Sequence, residues 1–153
     1  MAGLTVLGIG NVLMRDDGVG IRLMEAVRDA RRWPDDVEFV DGGAGGMGLL
    51  NLIEQAERLV VFDAADLGLS PGAWRVVRPE QLADDVPAGR VGLHDLRFVE
   101  TLRLCEKLLR RPPTVLLAIQ PAEVDYGREL SGPVRAAFER LVRAGVELVG
   151  KER

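Results

Sequence analysis

Four short, largely apolar runs limit what this chain can fold into: Leu4 to Ile9, Val37 to Val40, Leu59 to Phe62 and Thr114 to Ile119. Each has the length of a strand, and each stops at a glycine or a polar residue, as strands buried in a parallel sheet do. Helical spacing fills the gaps. Val19, Leu23, Ala26, Val27 and Ala30 predict a helix to about Arg32, ahead of Pro34. Met47 to Ala56 reads as a short helix with Leu49, Leu50 and Ile53 facing inward. A long helix is expected from about Asp95 to Leu109, stopped by Pro112-Pro113, and a closing helix from Gly132 to Ala144. Ala73 to Val77 is a further strand, antiparallel or at an edge, whereas residues 78 to 93 carry no clear pattern. Strands alternating with helices predict an α/β fold: a three-layer sandwich with a mostly parallel, roughly five-stranded twisted sheet and helices on both faces. At 153 residues, one domain spanning 1–153 is expected, large enough to bury a proper core.

Right-handed crossovers put the carboxyl ends of parallel strands on one edge, where ligands of such folds collect. The sequence places polar groups at those ends. Gly8 to Gly20, GIGNVLMRDDGVG, brings Gly10-Asn11 and the pair Asp16-Asp17; Asp41, Asp63 and Gln120 end the other runs. Taken singly, Asp16 and Asp17 are ordinary helix caps, and Asp63 is an ordinary turn acid. His94, the one histidine, is equally ordinary at a helix start with Asp95 as the cap. Taken together, Asp17, Asp63 and His94 make one nitrogen and two carboxylates at a common edge. That set suits Zn²⁺, Ni²⁺ or a related divalent ion with positions open for substrate or water.

Other chemistries fit poorly. A dinucleotide fingerprint would need its third glycine at Leu13, and two carboxylates would repel a pyrophosphate. No GK[ST] P-loop is present, and neither Ser70 nor Ser131 lies in a G-x-S-x-G elbow. Cys105 stands on the apolar stripe of the long helix with Phe98, Leu102 and Leu109, so an inert core thiol is expected. A net charge of -4 without a basic stripe gives no reason to expect nucleic acid. Leu4 to Ile9 is too short to cross a bilayer. With no signal-like start, a cytoplasmic protein with no membrane partner is expected.

Four segments in order carry a resemblance: LGIGNVLMRDDGVG, VEFVDGGAGG, LVVFDAAD and the histidine of His94-Asp95-Leu96. With these, the chain resembles the hydrogenase maturation protease family, endopeptidases that trim the C-terminal tail of the nickel-containing hydrogenase large subunit. The last third matches mainly in its strand-then-helix layout and in Gln120-Pro121. The resemblance implies a metal-dependent endopeptidase of aspartic type with Asp17, Asp63 and His94 as catalytic and metal-holding residues. It also brings Asp41, Gly42, Gly43 and Gly45 near the substrate tail. Where the family's loop often reads DGGTxG, Ala44 replaces the threonine and its hydroxyl. The metal implied is nickel supplied by the precursor, with no tightly bound cofactor of the protein's own and with zinc or cadmium as stand-ins in crystals. The partner implied is the large-subunit precursor, and the protease is expected to be a monomer. A non-catalytic metal- or precursor-binding chaperone of the same fold stands as the alternative, with a small-molecule hydrolase using the same set as a third possibility.

Overall fold

The computed structural model describes residues 3–44, 47–78 and 112–153. Five strands form one sheet in the order β2-β1-β3-β5-β4: β1 (Leu4–Gly8), β2 (Val37–Asp41), β3 (Leu59–Ala64), β4 (Trp74–Val77) and β5 (Thr114–Ile119). The pairs β1–β2, β1–β3 and β3–β5 are parallel, and β4 runs antiparallel to β5 at the edge. The described helices are α1 (Val19–Ala30), α2 (Leu50–Gln55) and α3 (Gly132–Glu152). The expected long helix at 95–109, Cys105, His94 and Gly45 lie outside the described residues.

Strand alternation divides the core into two layers. Leu4 and Val6, Val60 and Phe62, and Val115 and Leu117 face one way and pack with α1 and α3. Leu7 and Ile9, Leu59 and Val61, and Leu116 face the other way and pack with Leu49 and Ile53 around α2. Both sheet faces are therefore covered, as the unbroken apolar runs require. Among the described residues Phe62 is the largest fully buried side chain; replacing it with alanine would cost about 3–5 kcal/mol.

The sheet order reverses between β1 and β3, which opens a crevice at their carboxyl ends. Glycines let α1 sit tightly above it. A Cβ on Gly8 would lie 2.7 Å from the Gly20 carbonyl oxygen, so helix and strand meet backbone to backbone.

Three helices differ from those the sequence predicts. α1 stops at Ala30 because Arg31 is extended, and the Trp33 indole folds back to donate to the Val27 carbonyl at 2.9 Å. The second expected helix is split into a single 3-10 turn, Met47–Leu49, and the short α2. α3 runs on to Glu152, past Ala144. Gly145 does not stop it but marks where it closes on α1, since a Cβ there would lie 2.7 Å from Val27 Cγ2.

Candidate functional site

The chain leaves β1 through a tight, convoluted turn. Gly10 has φ +143° and a Cβ on it would strike the Asp17 carbonyl oxygen, so only glycine fits. Asn11 organises the next three residues: its side-chain Oδ1 accepts the Leu13 amide at 3.0 Å, and its carbonyl accepts the Met14 amide at 3.0 Å. Residues Arg15–Gly18 then make one 3-10 turn before α1. The Asp17 carboxylate reaches back to accept the Asn11 amide at 3.0 Å. It does not cap α1, whose N-cap is Gly18, without a side-chain hydrogen bond.

Asp16 behaves differently. It is 0% exposed, and its Oδ1 accepts the Ser131 amide at 2.8 Å. Its Oδ2 accepts the Ala122 amide at 2.9 Å, the Glu123 amide at 3.0 Å and the Ser131 hydroxyl at 2.6 Å. Burial on its own pushes this carboxyl up. The Ser131 hydroxyl and the amides of Glu123, Ser131 and Ala122 together outweigh burial and hold it below its ordinary value of 3.8. Expected to cap the adjoining helix, Asp16 instead fastens a segment more than a hundred residues away.

Asp63 is also 0% exposed. It lies inside β3, in register with Ala118 of β5, rather than just beyond the strand end. By alternation it shares the sheet face of Leu59 and Val61. The turn bearing Asp17 packs against β3, so the two carboxylates are carried by contacting elements on either side of the crevice. Among the described residues no group of three or more His, Cys, Asp or Glu side chains is gathered as a metal site; His94 is outside that set.

A cavity of about 690 Å³ opens at this edge. Asn11, Met14 and Asp17 line one side of it, Ala64, Ala65 and Asp66 continue it from β3, and Gln120, Pro121, Ala122 and Val124 close it from the end of β5. Gln120 ties the last two parts together. Its Oε1 accepts the amides of Leu67 and Leu69 at 2.6 and 3.2 Å, and its Nε2 donates to Asp66 Oδ1 at 3.2 Å and to the Pro121 carbonyl at 3.3 Å. All four bonding positions of that amide are in use. Asp66 is the cavity carboxylate that strand-end reasoning missed, because it sits three residues beyond Asp63 in what reads as plain loop. The available signal was the second acid of LVVFDAAD.

The glycine loop after β2 lies one strand further out. Exposed Asp41 accepts the Gly43 amide at 2.8 Å, and Gly43, at φ +58°, takes up the left-handed conformation that closes the loop. The Gly42 amide donates to the Gly8 carbonyl at 2.9 Å, and the Gly10 amide donates to the Gly43 carbonyl at 2.7 Å. Loop and hub are thus sewn together, but Asp41, Gly42 and Gly43 do not line the cavity beside Asp17.

Known proteins share this architecture. The model of the HycI hydrogenase maturation protease family matches residues 21–148. The hydrogenase expression/formation protein HoxM of Azotobacter vinelandii is 38% identical over 150 residues, covering 97% of this chain and 72% of its own length. The hydrogenase 2 maturation protease of Escherichia coli is 29% identical over 162 residues, covering 97% and 96%. Against HoxM- and HupD-type relatives the chain spans from 65% to 73% of their length. Among solved structures, the hydrogenase maturating endopeptidase HybD from E. coli superposes with a TM-score of 0.82 at 25% identity, over 97% of this chain and 93% of its own. HybD from Thermococcus kodakarensis gives a TM-score of 0.78 at 26% identity, over 95% and 98%. With the family model matching most of its length and its fold reproduced by family members, this chain belongs to the hydrogenase maturation protease family.

Proposed function

We propose that this protein is an endopeptidase that removes the C-terminal extension of a hydrogenase large-subunit precursor, with nickel already seated in the precursor as the mark that it is ready. Family membership supports peptide hydrolysis. The observation that carries the rest is the open cavity with Asp17 on its wall, at the sheet edge shared with Asp63. Nickel enters as part of the substrate, ligated by the precursor, and Asp17, Asp63 and His94 would complete its surroundings. A divalent ion so held polarises a carbonyl or acidifies water.

The chain's own residues do the remaining work. Asp17 is the better placed general base, because it is half-buried, lines the cavity and is held toward it by the Asn11 amide. Asp63, within the sheet, is suited to fixing position. The loop from Asp41 to Gly45 would guide the body of the precursor on the other side of the hub, since glycines let backbone approach closely.

Mass spectrometry of a nickel-loaded precursor after incubation tests this directly. Loss of the tail is expected, and a nickel-free precursor should stay intact. Binding without a mass change would favour a chaperone, and equal cleavage of both precursors would sink metal sensing.

A further inference from the structure

The segment from Pro121 to Ser131 has little secondary structure, yet it is bound to the hub at many points. The Arg15 amide donates to the Gly127 carbonyl at 2.8 Å, the Gly127 amide to the Leu13 carbonyl at 2.8 Å, and the Asp16 amide to the Glu123 carbonyl at 2.9 Å. Arg15 adopts φ +47° to do so, a conformation a non-glycine residue rarely accepts. Its guanidinium pairs with Glu123 and its Nε donates to the Glu129 carbonyl at 3.3 Å. A Cβ on Gly127 would come within 3.0 Å of the Arg15 stem, so the side chain lies across the segment like a strap. At the centre of these contacts is the Asp16 carboxylate, whose acceptors are taken by Ala122, Glu123 and Ser131.

The two ends of this clasp matter for the cavity. Asp16 precedes Asp17 in one 3-10 turn, and Ala122 is itself a cavity residue along with Pro121 and Val124. The clasp therefore sets the distance between the wall bearing Asp17 and the wall facing it. Past Val124, which is 49% exposed, the segment carries Tyr126 at 81% exposure. A stretch that presents apolar side chains to water needs an anchor elsewhere to keep its shape, and a buried, fully hydrogen-bonded carboxylate provides one.

We propose that Asp16 is a positioning residue: it holds the 121–131 segment as a preformed wall opposite Asp17 and so governs how well the peptide to be cut is held. The inference rests on the proposed proteolysis, since it assigns the cavity a peptide. Asp16 touches no substrate and acts only through Ala122, Glu123 and Ser131. In Asp16→Asn, whichever way the amide turns, an N–H group faces donors that a carboxylate oxygen accepted. Ser131→Ala removes the hydroxyl donor alone and is the milder version of the same change.

Two measurements on the intact protein test the idea. Hydrogen exchange at the amides of 122–131 should speed up by about tenfold or more in Asp16→Asn and less in Ser131→Ala, while α1 and β3 keep their protection. With a nickel-loaded precursor, KM should rise by about tenfold and kcat stay within about twofold. A general loss of stability would instead raise exchange throughout α1 and β3 and lower the active fraction, cutting kcat with KM unmoved; that outcome overturns the proposal. So does unchanged exchange at 122–131, whatever the kinetics. If the variants exchange as described but the wild-type protein leaves every precursor uncut, the proteolytic reading is refuted instead, and with it the role given to the wall.

Discussion

Asp16 and Asp17 are adjacent in sequence and opposite in circumstance. One is sealed from water with four donors on its two oxygens; the other is half-buried, lines the cavity and accepts the Asn11 amide on one oxygen. The 3-10 turn directs one carboxylate toward the 121–131 segment and its neighbour toward the crevice. A carboxylate whose lone pairs are already committed supports structure; one bordering a cavity can exchange partners with a substrate. That contrast, more than the presence of an acidic pair, is why the proposed chemistry is assigned to Asp17 and not to Asp16.

The contrast can be broken from either side. Asp17→Ala should lower tail removal by about 10²–10⁴-fold and leave the denaturation midpoint nearly unmoved, because the Asn11 amide it frees is exposed to water. His94→Ala should lower turnover by a similar factor. Wild-type turnover in either variant ends its assignment.

Asp16→Ala should do the reverse in kind. It strands three amides and a hydroxyl, for a loss of about 3 kcal/mol read as a shifted urea midpoint at constant m value. Equal destabilisation by Asp17→Ala would erase the distinction between the two acids.

Acid sharpens the point. The Asp16 carboxyl is held below its ordinary 3.8 in the fold, so the stability it contributes is complete above that ordinary value. It is lost as pH falls through the lowered one. The stability gap between wild type and Asp16→Ala should therefore be constant near neutrality and shrink only in strong acid. A gap that instead widens as pH falls would contradict the hydrogen-bonded carboxylate.

The smallest effect belongs to the strap. Glu123→Gln, which removes the charge opposite Arg15, should cost about 0.5 kcal/mol and vanish in high salt, since the pair is partly exposed. A larger, salt-resistant loss would move part of the anchoring from Asp16 to Arg15.

The central strands β1, β3 and β5 are legible from one sequence because burial on both faces leaves an unbroken apolar run. Thr114–Ile119 matches its expected bounds, and Trp74–Val77, expected from Ala73 as a strand antiparallel or at an edge, is both. The full length of α3 is not legible: Gly145 looks like a stop, while its real partner, Val27 of α1, is remote in sequence. That Asp17 and Asp63 stand at the polar edge can be read from the glycine turn after β1 and from the acid that follows the apolar run of β3. The clasp of Asp16 on Ser131 cannot, for no local pattern indicates which amide will come to face a carboxylate.

Order and spacing alone determined the α/β class and the edge where polar groups gather. These depend on periodicity and on turn residues that act within a few positions of themselves. Only the tertiary structure decided which acid of the pair is buried, what Gln120 ties together and how the 121–131 segment stands against the crevice. Those outcomes turn on hydrogen bonds between residues fifty to more than a hundred positions apart, made only once the sheet has brought their strands side by side.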